Sequence, residues 1–169
     1  MYFQKCYDAP LGEMIMVSDG TTLTSLVFKR QKYYESEVPE DSIKKSLPIF
    51  DETARWLDIY FSGIEPDFTP AISLKGSEFR KEVWDILMGI PYGEVTTYGE
   101  IAKQIAKKRG ISRMSAQAVG GAVGHNPISI IVPCHRVVGA NGNLTGYAGG
   151  LEKKVELLRL EGIIYNMNN

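Results

Sequence analysis

Cysteine and histidine are scarce in this 169-residue chain, at two each, and long apolar runs are missing. Each scarcity excludes something. Cys6 and Cys134 are the only thiols, and one bridge in a cytoplasmic chain is less favoured than two free thiols, so no disulfide framework is expected. The N-terminal half holds Cys6 and no histidine, short of the roughly three or four ligands a zinc site needs. Neither a metal nor a cofactor is expected. The longest apolar stretches, such as Ile128 to Pro133, fall far short of the roughly 20 residues of a membrane span. The opening residues, Met1 to Cys6, lack the basic and apolar regions of a signal peptide. The expectation is a cytoplasmic protein with no membrane partner.

What is present is ordinary for a globular chain: 44% hydrophobic and 23% charged residues, enough for one sizeable core or two small ones. The net charge of −1 conceals an uneven distribution. Residues 1–73 carry seven basic and twelve acidic side chains, whereas residues 99–136 carry Lys103, Lys107, Lys108, Arg109, Arg113 and Arg136 against Glu100 alone. A polyanion responds to the local basic field and not to the total, so nucleic-acid binding is compatible with a pI near 6.1. A solvated helix face produces the same count.

Alternation predicts strands over residues 2–7, 13–18 and 22–29, with Asp19-Gly20 as a two-residue hairpin turn. Ile49, Phe50, Ala54, Leu57 and Phe61 recur at helical spacing between Pro48 and Gly63. Residues 64–75, with Pro66 and Pro70, read as a short strand plus linker, and the domain boundary is set there, giving 1–73 and 74–169. Ser77 caps a helix that Gly89-Ile90-Pro91 ends, and a turn follows at Tyr92-Gly93. Thr97-Tyr98-Gly99-Glu100 has capping-box spacing and opens a helix to about Lys108. A second helix from about Ser115 to Gly124 completes a helix-turn-helix. Gly120 and Gly121 each cost that helix about 1 kcal/mol relative to Ala, which calls for close packing against a neighbouring helix or entry into a narrow groove. The fold class is α/β (α+β).

The β-branched run Ile128 to Val132 predicts a buried strand that delivers Pro133-Cys134-His135-Arg136 at its end. Cys134 reads either as a core thiol or as a nucleophile with His135 and Arg136 as the nearby base or cation, His135 then needing a bend to reach it. Ile131-Val132-Pro133-Cys134-His135-Arg136-Val137-Val138 resembles the active-site motif of the methylated-DNA-protein-cysteine methyltransferases, the O6-alkylguanine-DNA alkyltransferases. Segments similar to that family's flank it in order: Ile90 to Tyr98, Ala118 to Ala122, Asn126-Pro127, and Gly146 to Leu151. The resemblance covers residues 77–162, and residues 1–73 fit the family's smaller ribonuclease-H-like domain by element order.

The resemblance implies a winged helix-turn-helix-like C-terminal domain and DNA repair by direct damage reversal. Cys134 takes the alkyl group from O6-alkylguanine in double-stranded DNA, with O4-methylthymine as a further substrate, and each molecule acts once. It also implies that His135 takes the thiol proton through a water, with Glu161 orienting His135. Tyr98 donates to ring nitrogen 3 of the leaving guanine, and Asn126 orders the turn before Cys134. Val123, Tyr147, the Ala148 N–H and the carbonyls of Cys134 and Val137 surround the base. A base inside a duplex hides O6, so the nucleotide is flipped out through minor-groove binding. Tyr98, Gly99, Ser112, Ser115 and Gln117 contact DNA, and a monomer is expected to act alone. Gln117 departs from the family, whose better-known members place an arginine there to fill the gap left by the base. Weaker DNA affinity follows. The competing readings are an alkyltransferase-like damage sensor, which lacks the reactive cysteine, and a thiol hydrolase, which turns over.

Overall fold

A computed structural model describes residues 1–165. The chain forms two compact units, Met1–Lys75 with Pro127–Ile131, and Gly76–Asn126 with the chain from Val132 onward. The segment 127–131, which the sequence reading places inside a continuous 74–169 domain, thus belongs with the first unit.

The first unit is built on a four-stranded sheet of order β3-β2-β1-β4, from β1 (Phe3–Ala9), β2 (Gly12–Ser18), β3 (Leu23–Phe28) and β4 (Ile43–Lys44). β1 and β3 flank β2 in antiparallel register, and β4 pairs parallel to β1. Consecutive residues Met14 to Val17 are all buried, which an alternating strand achieves only when both faces are covered. One cover is α2 (Pro48–Phe61), whose Pro48 occupies the first turn and whose Ile49, Phe50, Thr53, Trp56, Leu57 and Tyr60 form its buried stripe. α1 (Tyr34–Glu37) and β4 are too short to carry a periodic signal in sequence.

The β2–β3 hairpin corrects one expectation. Its loop is Asp19 to Thr22, since Ser18 pairs with Leu23, and the Asp19 carboxylate accepts from the N–H groups of Thr21 and Thr22 at 3.0 and 2.8 Å. That Asx geometry outcompetes a two-residue turn. Residues 64–75 form no strand, only a parallel bridge of Ile72 to Leu23.

Ile128 to Val132 is likewise not a strand. Ile128 makes a single bridge to Leu26, whose N–H reaches Pro127 O at 2.9 Å and whose carbonyl accepts from Ser129 N at 2.8 Å. A three-residue turn then closes through Ile131 N to Ser129 O at 2.8 Å, with Ile130 at φ 71. Left-handed geometry in a β-branched residue costs about 1–3 kcal/mol and persists only where its surroundings impose it. The apolar run predicted burial correctly, for all five residues are buried, but burial does not specify extension.

The second unit contains α3 (Glu78–Met88), β5 (Thr96–Thr97), α4 (Tyr98–Arg109), α5 (Ala116–Gly124), β6 (Val137–Val138) and α6 (Leu151–Leu160), with one-turn 3-10 helices at Cys134–Arg136 and Ala140–Gly142. Ser77, Thr97 and Ser115 cap α3, α4 and α5 by accepting from Arg80, Glu100 and Ala118 N–H. The Thr97 half of the expected capping box is present; the Glu100 carboxylate lies 3.4 Å from Lys103 Nζ. α3 and α4 both pack on α5, and the buried Trp84 indole donates to Ala122 O at 2.8 Å. β5 pairs parallel with β6, Thr96 opposite Val137, which ties the start of α4 to the residues that follow Cys134.

Candidate active site

Two tight turns and a 3-10 turn place Cys134. Cys134 N donates to Val132 O at 2.8 Å around Pro133, whose φ −82 and ψ 65 are those of an inverse γ-turn. Cys134–Arg136 then coils as a 3-10 turn, which supplies the bend that adjacent strand residues lack. Asn126 Nδ2 donates to Val132 O at 2.8 Å, and its side chain also hydrogen-bonds Cys134. The thiol is buried, with Cys134 only 7% exposed. Burial pushes it above the ordinary thiol range, against the opposing pull of Asn126 and the Lys154 charge. At rest it is a thiol, and nucleophilic attack requires a base.

The imidazole next to it in sequence is held by Glu161, the residue that closes α6. His135 is fully buried, and its Nε2 lies 2.6 Å from Glu161 Oε2. Burial pushes the imidazole below the ordinary histidine range, with Glu161 pulling the other way and the charges of Arg136 and Lys154 adding to the push. A neutral ring that donates from Nε2 carries its lone pair on Nδ1, ready to accept a proton. Burial alone raises the Glu161 carboxyl, yet hydrogen bonds from His135, Arg136 and the Gly93 N–H outweigh it and hold it at about 2.

Arg136 is not a cation aimed at the thiol. Its Nε and Nη2 reach Glu161 Oε1 and Oε2 at 2.7 and 3.2 Å, and its Nη1 donates to Ile90 O at 2.8 Å. Gly93 N donates to the same carboxylate at 3.0 Å, so the turn at Tyr92-Gly93 doubles as a carboxylate clamp. Glu161 is therefore a buried, fully engaged anion balanced by Arg136.

A cavity of about 370 Å³ in the first unit is lined by Lys5, Cys6, Lys44 and Lys45, away from this cluster in sequence. A larger one, about 530 Å³, lies in the second unit, lined by Tyr98, Gly99, Gln117, Gly120, Thr145 and Gly146 among others. Tyr98 and Gly99 are half-buried at the first turn of α4, and Gln117 is exposed on α5. Val123 and Val137 are buried, Tyr147 and Ala148 are half-buried, and Ser112 and Ser115 are exposed at the entry to α5. The carbonyls of Cys134 and Val137, expected to face the base, each already accept one bond, from Val137 N and from Lys154 Nζ at 2.6 Å. Each keeps one lone pair for a ligand.

Lys154 is what sequence reading missed. It is fully buried, and besides Val137 O its ammonium donates to Thr145 O at 2.8 Å and Gly146 O at 3.3 Å. Burial lowers its pKa to about 8, against the pull of Cys134. A signal was available, because Lys154 shares the α6 face of Leu151, Val155 and Leu158, where a lysine is out of place. The basic count in 99–136 also shrinks. Arg109 pairs with Glu82 at 2.9 Å, Arg136 with Glu161, and the exposed Lys103 with Glu100, so that among the described residues Lys107, Lys108 and Arg113 are the exposed cations of this stretch outside such pairs.

The two glycines of α5 have no packing duty. A methyl added at Gly121 meets nothing within 4 Å, and one added at Gly120 meets Tyr98 at an ordinary 3.7 Å. Among the described residues no group of three or more His, Cys, Asp or Glu side chains gathers to hold a metal, and no helix is long and apolar enough to cross a membrane.

Comparison with known proteins extends this picture over the whole chain. Residues 78–163 match the 6-O-methylguanine DNA methyltransferase DNA-binding domain, and residues 2–74 match the ribonuclease-like domain of the same family. A methylated-DNA–protein-cysteine methyltransferase of Methanosarcina acetivorans is 45% identical over 162 residues, 96% of this chain and 99% of the relative. The crystal structure of the Mycobacterium tuberculosis O6-methylguanine methyltransferase superposes with TM-score 0.81 at 41% identity, covering 95% of this chain and 93% of that one. A Mycobacterium tuberculosis OGT in complex with DNA gives the same TM-score and identity, covering 95% and 91%. With both domains matched in order and so close a relative along nearly its full length, this chain belongs to the 6-O-methylguanine DNA methyltransferase family.

Proposed function

We propose that the protein repairs duplex DNA by moving the alkyl group of O6-alkylguanine onto its own Cys134, once per molecule. The observation that carries this reading is the buried set Cys134, His135 and Glu161, in which the residue after a buried, protonated thiol is a histidine whose ring is backed by a carboxylate at 2.6 Å. His135 accepts the thiol proton through a water as the sulfur attacks the alkyl carbon. The C–S bond forms, the O6–C bond breaks, and its electron pair returns to the guanine, which takes a proton at ring nitrogen 1 from water while the imidazolium returns the thiol proton to water, so that the thiol proton is in balance the one guanine gains. The imidazolium is stabilised meanwhile by Glu161. Tyr98 donates to ring nitrogen 3 of the departing base, and Asn126 holds the turn that presents Cys134. Val123, Tyr147, Ala148 and the spare lone pairs at Cys134 and Val137 enclose the base. O4-methylthymine is a second substrate of the same site. A thioether has no easy hydrolysis, which sets this reaction apart from a thiol hydrolase, and the presence of Cys134 sets it apart from a damage sensor.

DNA is the partner. The second unit binds it as a monomer through the minor groove, with α5 leading and the damaged nucleotide flipped out of the stack. The open face at Gly121 supports groove entry over helix packing, because no internal neighbour needs the missing side chain. Gly121→Leu tests this: a leucine suits an exposed helix position, so the melting temperature is expected to hold or rise, while DNA affinity falls at least about tenfold, some 1.4 kcal/mol. Unchanged affinity would remove α5 from the groove. Gln117→Arg, which adds a charge and a stacking plane beside the cavity, is expected to tighten DNA binding and speed repair. If neither changes, position 117 does not face the flipped site.

The function itself is tested by intact mass and peptide mapping after incubation with a duplex holding one O6-methylguanine. A stoichiometric gain of one methyl group on Cys134, absent in Cys134→Ala, is the expected result. DNA binding without transfer would indicate a damage sensor.

A further inference from the structure

Lys154 spends a fully buried ammonium on three backbone carbonyls, two of which belong to the loop at Thr145 and Gly146. Burying a lysine is costly, and here the compensation is a clamp: the loop is tied through one side chain to α6 and to β6, just after Cys134. The clamp fixes Thr145 in a second way as well. Its methyl packs so tightly on Gly139 that a side chain at 139 would stand 3.1 Å from Thr145 Cγ2. Gly139 N closes the loop on Asn143 O at 2.7 Å. With its backbone carbonyl and methyl both held, Thr145, though exposed, keeps its hydroxyl turned to the Tyr98 hydroxyl, to which it donates at 3.3 Å where both residues line the 530 Å³ cavity.

We infer that Thr145 is a positioning residue for Tyr98: by donating to the phenol oxygen it leaves the phenol proton to point at the substrate. The inference rests on the reading of Tyr98 as donor to the leaving base. A phenol oxygen both accepts and donates, so a bond received from Thr145 orients the O–H outward and strengthens it as a donor through polarisation along the chain. Without Thr145, the Tyr98 hydroxyl can rotate away or spend its proton elsewhere. The hydrogen bond it gives to ring nitrogen 3 matters as negative charge develops on the ring during displacement. Thr145 therefore acts on the transfer step, through Tyr98, and not on DNA affinity.

The test is the methyl-transfer rate constant at saturating O6-methylguanine duplex, measured together with the dissociation constant, for Thr145→Val, Thr145→Ser, Tyr98→Phe and the Thr145→Val/Tyr98→Phe double variant. Valine keeps the shape and the packing on Gly139 while removing the donor. It is expected to slow transfer about three- to tenfold, the worth of one neutral hydrogen bond, with the dissociation constant unchanged. Serine restores the rate. In the Tyr98→Phe background, Thr145→Val adds nothing, since the group it serves is gone. A Thr145→Val variant as fast as the unaltered protein would overturn the inference, as would an equal slowing in the Tyr98→Phe background. If Tyr98→Phe itself transfers at the full rate, Tyr98 is not a donor and both that reading and this one fall. Absence of transfer in the unaltered protein would overturn the proposed function and the inference together.

Discussion

Replacing Glu161 with glutamine is expected to slow methyl transfer by about two to four orders of magnitude with DNA affinity intact. The amide can still accept from His135 Nε2, so the ring keeps its place, but the charge that stabilises the imidazolium is gone. The pH profile separates this from a loss of fold. In the unaltered protein, burial holds His135 below the ordinary histidine range, so the rate should stay level as pH falls through 6.5 and decline only below it. Glu161 is the influence pulling His135 upward, and its removal moves that acid limb to still lower pH. A second consequence concerns stability. Glu161 has its folded pKa depressed from the ordinary 4.5 to about 2, so its contribution is complete above 4.5 and is lost as pH falls through 4.5 toward 2. Acid unfolding curves should therefore converge for the two proteins at the low end. A Glu161→Gln variant transferring at the normal rate would remove Glu161 from the chemistry.

Arg136→Met is expected to destabilise the protein by about 3–5 kcal/mol, read from denaturant or thermal unfolding. The methionine fills part of the volume, yet Glu161, a buried anion, loses its guanidinium partner while keeping His135 and the Gly93 N–H, and Ile90 O loses its donor. Arg136 also depresses His135, so its loss pushes the imidazole up and moves the acid limb of transfer to higher pH, opposite to the shift in Glu161→Gln. Opposite shifts from two partners of one salt bridge are not what general loosening of the fold produces. Adding Glu161→Gln to Arg136→Met should recover part of the lost stability, because the uncompensated charge is removed. An Arg136→Met protein of normal stability would mean that water reaches this carboxylate.

In the proposed reaction one carboxylate serves two roles. Glu161 accepts from His135 on one oxygen and from Arg136 and Gly93 on the other, with Arg136 also reaching the first. Such an anion is already neutralised, so it can steady a transient imidazolium without drawing a proton onto His135 beforehand. A base that stayed charged at rest could not take the thiol proton.

Local sequence determined the elements whose signals are local. Ser77, Thr97 and Ser115 announce the starts of α3, α4 and α5, Pro48 and Gly63 bracket α2, and the residues around Cys134 announce a reactive thiol through their resemblance to a known motif. Each of these depends on neighbours within a few positions, where capping and periodicity act. Tertiary structure decided what depends on distant partners. The run Ile128 to Val132 is buried but bent, because Leu26 holds one end of it and a left-handed Ile130 turns the other. Arg136 serves Glu161, 25 positions away, and not its neighbour Cys134. Half of the basic field at 99–136 is consumed by acids that include Glu82 and Glu161, which no count within that window contains. Gly121 could be told from a packing glycine only once the space beside it was known to be empty. Lys154 reads as one more cation on a helix until three carbonyls converge on it, and a buried charge is defined by the acceptors that the rest of the chain brings to meet it.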